Sequence, residues 1–244
     1  MTNSKGNTNK AREAILGRVR QSLGNATRFP QAAEAQTPPA THLPFEREAM
    51  IKSFAAELSL LTGVFHRVPP EAVPGLVLEL IAEAGGDESP GVLNWGQADL
   101  PVPGLLDAIK TGGVRLVEAS VPLAGPEREA RLAEMEKAVV GLTAAEAALA
   151  DVGGIVVRSG EGRPRLASLL PPTHIALVTP DQFYPSLYDW MEALRAQGRL
   201  EDTAAGVSNL TVITGPSRTA DIEKTLVLGV HGPRFLHVIC LEEG

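Results

Sequence analysis

The segment TGPSRTADIEKTLVLGVHGP, residues 214–233, concentrates hydroxyl, acidic and histidine side chains between two Gly-Pro corners. We call it the C-terminal signature. Its first Gly-Pro pair favours a turn, and residues 220–229 are predicted to form a helix. Backbone N–H groups at the start of such a helix, with Ser217, Arg218 and Thr219, can hold a phosphate or carboxylate. A capped helix without a ligand, with Ser217 or Thr219 as the N-cap, fits the same residues.

Two further side chains are candidates for catalysis. His231, in GVHGP, has glycines close on both sides and can titrate near neutrality, although a turn histidine bonded to backbone fits as well. Asp151, in ALADVGG, can serve as a general base or bind substrate hydroxyls. It can also cap backbone N–H groups, an interpretation that we favour because Asp often does so in turns.

The loop SGEGRPR, residues 159–165, places arginines near the end of a predicted strand. Arg158, Arg163 and Arg165 can each make bidentate contacts with a carboxylate or phosphate. For Arg163 we favour a solvated charge on the loop. The segment lacks the glycine spacing of a dinucleotide-binding fingerprint, and the sequence contains no P-loop.

Short apolar runs separated by helical segments predict the fold. Such runs are typical of strands in a parallel sheet that is covered on both faces. We therefore expect an α/β fold with an open, mostly parallel twisted sheet and helices on both faces. Its ligands should bind beyond the carboxyl ends of strands, in the loops after Val157, Val178 and Ile213. The runs are GVFHRV, GVLNW, VRLVEAS, GGIVVRSG, HIALVTP, NLTVITG and FLHVICLEE.

Two helical segments complete the prediction. The alanine-rich residues 128–151 are predicted to be mostly helical, with a break or short strand around residues 139–142. Residues 9–24 form an amphipathic helix that needs a partner for its apolar face, which leaves an oligomer open. A proline-rich connector follows. We therefore divide the chain into an N-terminal helical arm with its connector, residues 1–44, and an α/β domain, residues 45–244.

Composition excludes several classes of protein. The 244 residues are 44% hydrophobic and carry a net charge of −7, which argues against a nucleic-acid-binding protein. No apolar run is long enough to span a membrane, and the N-terminus, MTNSKGNTNK, lacks the apolar region of a secretory signal, so we expect a cytoplasmic protein. The single cysteine, Cys240, forbids an all-thiolate metal site within the chain, and no histidine spacing resembles a zinc motif.

Three segments together resemble the LUD-domain family and, within it, the lactate utilisation protein C group. They are VGLTAAEAALADVGGIVV, RLASLLPPTHIALV and ITGPSRTADIEKTLVLGVHGPRFLHVICLEE. The amphipathic helix AREAILGRVRQSLG and the connector after it are also similar to that family. The resemblance spans nearly the whole chain, and its specific part is the C-terminal signature.

The resemblance implies a fold and a role. The fold would be NagB/RpiA/CoA-transferase-like. The chain would be a non-catalytic or auxiliary subunit in the oxidation of L-lactate to pyruvate, acting with two partner proteins that carry iron–sulfur clusters and binding no cofactor itself. A stand-alone enzyme, such as a sugar-phosphate isomerase or acyl-CoA transferase, predicts that Asp151, Arg165 and residues 214–221 converge on one cleft. A docking protein predicts an exposed apolar patch along Ile15, Leu16, Val19 and Leu23.

The resemblance also implies site residues. Relatives have a sequence like A-E-[TS]-[GA]-T where this chain has residues 150–154, ADVGG, so any ligand contacts made there are weakened. Arg165, from the SGEGRPR loop, is a ligand-binding candidate for its possible bidentate contact and not through the resemblance. The family's motif maps onto Thr214, Gly215, Ser217, Thr219, Asp221, Glu223, His231 and Gly232.

Overall fold

The computed structural model describes residues 5–25, 46–85, 90–121, 124–204, 207–220, 226–229 and 231–242. The chain forms two units, residues 1–40 and 41–244. The helices are α1 (Lys5–Asn25), α2 (Arg47–Leu60), α3 (Val73–Glu83), α4 (Leu105–Thr111), α5 (Pro126–Met135), α6 (Leu187–Ala196) and α7 (Leu200–Ala204). The strands are β1 (Val64–Val68), β2 (Gly91–Asn94), β3 (Arg115–Val117), β4 (Ala138–Ala144), β5 (Ala147–Leu149), β6 (Gly154–Gly160), β7 (Thr173–Val178), β8 (Phe183–Tyr184), β9 (Val207–Ile213), β10 (Arg218–Ala220), β11 (Leu226–Leu228) and β12 (Phe235–Leu241).

The main sheet has six strands in the order β1-β12-β7-β4-β2-β3. Every neighbouring pair in it is parallel. Its central strands are almost completely buried, as near-continuous apolar runs require. The predicted α/β fold with a mostly parallel sheet flanked by helices is therefore confirmed.

A second sheet has four strands in the order β8-β5-β6-β9. The chain crosses into it just after β4. The N–H of Ala145 still donates to Leu177 in the main sheet (2.8 Å), and that of Glu146 donates to Val156 in the second sheet (2.8 Å). Glu146 therefore lies where the two sheets meet.

Two interpretations of the sequence are wrong in this region. The short strand that was allowed around residues 139–142 is confirmed as part of β4. The rest of the segment 138–149, which was expected to be helical, belongs to β4 and β5, because most of its alanines are buried within the two sheets and tertiary packing overrides the helix propensity of alanine. The runs that form β6 and β9 do not join the parallel sheet. They pair with each other in antiparallel orientation in the second sheet.

Aromatic packing joins the two sheets through α2. Phe54 of α2 contacts Phe65 of β1 and Phe183 of β8 edge-on, with ring centroids 5.6 and 5.3 Å apart. The buried residues of α2 repeat at helical spacing and face this cluster; they are Met50, Ile51, Phe54 and Leu58. The C-terminal end of α2 is thereby fixed beside the second sheet.

The first unit contains α1, which confirms the predicted helix over residues 9–24. The side chains of Ile15, Leu16 and Val19 are exposed, with 63%, 37% and 48% of their surface accessible. The predicted connector and the boundary after residue 44 lie outside the described residues. No described helix is both long enough and apolar enough to cross a membrane.

Candidate functional site

The C-terminal signature forms a strand pair where a helix was predicted. β9 ends at Ile213, the chain turns, and β10 then pairs with β11 in antiparallel orientation. The predicted helix over 220–229 is therefore wrong at both of its described ends. Because the chain after the turn is a strand, it does not provide the helix N-terminus on which the anion site was based. Asp221 and Glu223 lie outside the described residues, as do the side chains of Arg218 and Thr219.

Ser217 connects the two halves of the signature. Its N–H donates to the Pro233 carbonyl and its own carbonyl accepts from Gly229 N–H, both at 2.9 Å. Its hydroxyl accepts the backbone N–H of His231 at 3.3 Å. The structure thus brings Ser217 and His231 together through the backbone of His231, whose side chain is exposed. These hydrogen bonds link residue 217 to residues 229, 231 and 233. A role for Ser217 or His231 in binding a ligand stays a prediction.

The turn that contains Asp151 packs against the start of the signature. Ile155 pairs with Ile213, which brings Gly154 beside Thr214: a methyl group on Gly154 would lie 2.8 Å from Thr214 Cγ2. Gly153 has φ +56°, and a methyl group there would lie 2.2 Å from the backbone nitrogen of Leu58 in α2. The segment 150–154 and the turn at residues 214–215 therefore meet at the end of α2.

The carboxyl group of Asp151 is exposed, and its immediate surroundings favour the neutral form. Partial burial raises the pKa of Asp151, and the nearby carboxylates of Asp189 and Glu57 raise it further. The nearby backbone N–H groups of Asp151 and Val152 lower this pKa. The N–H of Asp151 itself donates to the Pro185 carbonyl at 3.0 Å. Both the capping role and the general-base role of the carboxyl group stay predictions.

Arg165 lies away from this group. β6 and β9 are antiparallel, with Gly160 opposite Val207, so the loop after β6 begins at the far end of the second sheet. The five-residue separation from Ile155 to Gly160 corresponds to about 17 Å along a strand. Arg165 is exposed in a short 3₁₀ turn. Arg165 therefore lies far from both Asp151 and the C-terminal signature, and these three elements do not converge on one cleft.

A different cavity lies at the carboxyl edge of the main sheet. β2 and β4 are adjacent in the main sheet. From β2 the chain continues to β3 on one side of this pair, and from β4 it continues to β7 on the opposite side, so the direction of the strand order reverses between β2 and β4. Ligands of open α/β sheets bind at such a reversal. A cavity of about 280 Å³ opens there, which we call the switch-point cavity. Its polar lining consists of Trp95, Asp99, Glu146, Arg163 and Gln182.

Four charged side chains form a network at the switch-point cavity. Glu146 Oε1 accepts from Arg158 Nε at 2.6 Å and from Arg163 Nη1 at 3.2 Å. Arg163 Nε also lies 3.7 Å from Asp99 Oδ1, which is too long for a hydrogen bond. The interpretation of Arg163 as a solvated loop charge is wrong, because its side chain is 20% exposed and ion-paired.

Two buried donors at this cavity find no hydrogen-bond partner among the described residues. One is Trp95 Nε1, on a residue that is 2% exposed, and the other is Arg163 Nε. Sequence reasoning missed Trp95 and Glu146. The only signal for Trp95 was its place at the end of the predicted run GVLNW, and Glu146 lay inside a segment assigned to a helix.

A larger groove of about 770 Å³ uses the same two loops. These loops are joined by a backbone hydrogen bond from Gly96 N–H to the Gly162 carbonyl (3.3 Å). The groove is lined mainly by apolar groups such as Leu106 and Leu116, with Lys110 and Glu118 as charged members. A small polar cavity and a larger apolar groove therefore lie close together near the ends of β2 and β6.

Two other histidines, on the paired strands β1 and β12 of the main sheet, contact each other. His66 and His237 stack, with Nε2 and Nδ1 3.1 Å apart. Burial lowers the pKa of His66, and burial together with the neighbouring His66 lowers the pKa of His237 to about 4. Within the described residues, no group of three His, Cys, Asp or Glu side chains could hold a metal ion.

Comparison with known proteins identifies relatives over most of the chain. Lactate utilization protein C of Deinococcus radiodurans is 29% identical over 208 residues, which are 84% of this chain and 86% of that protein. The proteins of the same name from Macrococcus caseolyticus and Bacillus subtilis are each 40% identical over 98 and 108 residues. Those two matches cover 40% and 43% of this chain. They span less than half of each relative's length, 42% and 43%.

A solved structure and a family model agree with these relatives. The crystal structure of a DUF162 family protein from Deinococcus radiodurans matches with a TM-score of 0.53 and 25% identity, covering 82% of this chain and all of that one. The resemblance inferred from the C-terminal signature is confirmed by the model of the LUD domain, which matches residues 51–241. The chain therefore belongs to the LUD domain family.

Proposed function

We propose that this chain is a subunit of an L-lactate utilisation system, in which L-lactate is oxidised to pyruvate together with two iron–sulfur partner proteins. The observation that carries the proposal is the match to Lactate utilization protein C of Deinococcus radiodurans, which extends over 84% of this chain. The family model supports it over residues 51–241. The proposal includes a cytoplasmic location, which cell fractionation tests.

In this proposal the chain leaves electron transfer to its partners. Oxidation of a 2-hydroxy acid releases two electrons, which need an acceptor. An iron–sulfur cluster is held by about four thiolates, whereas this chain has one cysteine, Cys240, buried in β12. The donor set therefore does not fit a cluster within one chain. The chain's own contribution would be to bind, position or assemble.

A second candidate, a docking protein, is favoured by one observation. Ile15, Leu16 and Val19 on α1 are exposed apolar side chains on one helix. A helix of this kind can lay its apolar face into a groove of a partner. Docking is compatible with the lactate system, since a subunit without a redox group can act by holding its partners. A stand-alone enzyme is supported less, because Arg165 does not reach Asp151 and the signature.

Growth on L-lactate tests the proposal. A strain that lacks this chain should fail to grow with L-lactate as the carbon source and should grow normally on pyruvate. Complementation with the whole chain should restore growth. Normal growth of the deletion strain on L-lactate, in the absence of a second lactate-oxidising enzyme, would rule the proposal out.

A further inference from the structure

We propose that β9 is the contact surface between two copies of this chain, which pair their β9 strands in antiparallel orientation about a two-fold axis at Thr211. The second sheets of the two copies then join edge to edge into one continuous sheet. The inference concerns the assembly of this chain with itself. It does not rest on a role in lactate utilisation, and the growth experiment can succeed or fail independently of it.

The first reason is the open edge of β9. It is the last strand of the second sheet and, among the described residues, pairs with β6 alone. A strand at the edge of a sheet presents a row of backbone N–H and C=O groups that can pair with another strand. β9 is seven residues long, which is enough for a ladder of several hydrogen bonds.

The other edges of the two larger sheets are protected against such pairing. β1 carries Arg67, which is ion-paired with Glu48 at 2.8 Å. β3 has three residues, one of which is Arg115, and β8 has only two residues. Charge and short length are common protections of an edge strand. β9, with the sequence VSNLTVI, has neither protection, because it is long and carries no charged side chain.

The second reason is the exposed apolar face of β9. Leu210 and Val212 have 43% and 40% of their surface exposed. They lie opposite Arg158 and Val156 of β6, and opposite residues of antiparallel strands share a face of the sheet. Val156 packs with Trp190 of α6 in a small core. Leu210 and Val212 therefore lie on the α6 side of the sheet, where a strand added beside β9 would cover them.

A groove of about 310 Å³ opens on this side, next to β9. Leu210 borders it, and most of its lining is apolar: Trp190, Met191, Leu194 and Leu200. An aliphatic side chain that a second strand places opposite Leu210 therefore meets apolar groups and leaves water. A charged side chain at the same place loses its hydration without gaining a partner.

The pattern of β9 itself indicates a second copy as the occupant. In an antiparallel pair centred on Thr211, Leu210 lies opposite Val212 of the partner subunit, and the same contact repeats on the other side of the axis. The exposed apolar side chains of both copies thus form one cluster, as a self-complementary two-fold interface requires. Because β9 is uncharged, the two copies meet there without local like-charge repulsion, although each chain has a net charge of −7.

Light scattering of the purified full chain tests the proposal at increasing concentration up to about 100 μM. We expect wild type to form a dimer. Leu210→Glu places a carboxylate against the apolar cluster and should weaken dimerisation by about tenfold or more. Leu60→Glu adds the same charge at a 73% exposed leucine of α2 and is the matched control, which should dimerise as wild type does. A monomeric wild type, with β9 left for a strand of another protein, or equal weakening in both variants would overturn the proposal.

Cross-linking with a short bis-maleimide tests the register. Thr211→Cys places a thiol on the axis, where the Cβ atoms of two copies lie about 5 Å apart. Ser208→Cys, exposed on the same strand, lies about six residues or about 20 Å from its counterpart. We expect linked dimers for Thr211→Cys and few for Ser208→Cys, whereas wild type has only the buried Cys240 and should not react. No linking of Thr211→Cys, or equal linking of both variants, would refute the proposed pairing.

A dimer formed through α1 gives a different result. Ile15→Asn with Val19→Asn removes exposed apolar groups of α1 and should leave the dimer intact. Loss of the dimer in this variant and its retention in Leu210→Glu would contradict the role of β9. Circular dichroism checks that Leu210→Glu is folded, and the cross-linking of Thr211→Cys decides the question if it is not.

Discussion

Arg163 and Glu146 form an ion pair, with Nη1 3.2 Å from Oε1, that ties the loop after β6 to the residue where the chain crosses between its two sheets. Both side chains are about four-fifths buried, with 20% and 22% of their surface accessible. Arg158 contacts the same oxygen. The pair therefore fixes one wall of the switch-point cavity and also contributes to the junction of the sheets.

Replacing Glu146 by Gln should destabilise this junction. Two partly buried guanidinium groups lose their common carboxylate, so we expect the free energy of unfolding to fall by about 1–2 kcal/mol, as measured by urea unfolding. Glu192→Gln, which breaks an exposed pair with Arg195, is the matched control and should cost less than about 0.5 kcal/mol. Equal losses in the two variants would contradict the structural role of Glu146.

Gly153 should tolerate no side chain. It has φ +56°, and a methyl group would lie 2.2 Å from Leu58 N, so Gly153→Ala should lower the free energy of unfolding by about 3 kcal/mol or more. Gly104 also has positive φ, +72°, but no atom lies within 4 Å of an added methyl group. Gly104→Ala should therefore cost about 1 kcal/mol through backbone strain alone. Thermal or urea unfolding compares the two variants, and similar losses would show that the 150–154 turn does not pack on α2.

His174 should make the protein less stable in mild acid. It is fully buried, bonded through Nε2 to Thr143 Oγ1 at 2.9 Å, and burial lowers its pKa to about 4. Between pH 6.5 and 4 the unfolded chain binds a proton at this residue that the folded chain does not. The contribution of His174 to stability is therefore complete above pH 6.5 and falls by about 1.4 kcal/mol for each pH unit between 6.5 and 4. The lowered pKa values of His66 and His237 add to the slope in the same direction.

Urea unfolding at a series of pH values checks this slope. His174→Gln removes the titrating group and should unfold with a shallower dependence on pH than wild type, even if it is less stable at neutral pH. Ser208→Ala, at an exposed position without a titrating side chain, is the control and should keep the wild-type slope. The same slope in His174→Gln and wild type would contradict the assignment.

The apolar side chains of α1 should matter for assembly and not for the α/β unit. Ile15→Asn with Val19→Asn removes two exposed apolar groups, so partner proteins should bind more weakly while the unfolding of residues 41–244 stays unchanged. The control is Arg12→Gln with Arg18→Gln, which changes exposed charges on the same helix. Pull-down of the partners by each purified variant measures binding. Wild-type binding by the asparagine variant would leave α1 without a docking role.

The apolar runs predicted which segments form strands, but they did not predict which strands pair with each other. All seven predicted runs form strands, because buried β-branched and leucine-rich stretches bounded by turns have few other solutions. The same pattern fits a parallel or an antiparallel neighbour, so it did not reveal that β6 pairs with β9. Alanine at residues 138–149 favours a helix locally, and only burial within two sheets reverses that preference.

The candidate site was predicted in part. The proximity of Ser217 and His231 follows from a short segment of chain that folds back on itself. The switch-point cavity combines Trp95 with Glu146 and Arg163. Glu146 and Arg163 are 17 residues apart and flank the paired strands β5 and β6. The order of strands in the main sheet brings Trp95 to them, and a local pattern carries no information about that order.

Lactate oxidation by the purified partner proteins tests the central claim most directly. The two iron–sulfur proteins are assayed for conversion of L-lactate to pyruvate with this chain absent and then added back. We predict that the rate is low without the chain and rises with its concentration until the complex is saturated. A full rate in the absence of the chain, unchanged by its addition, would contradict its assignment as a subunit of the lactate-oxidising system.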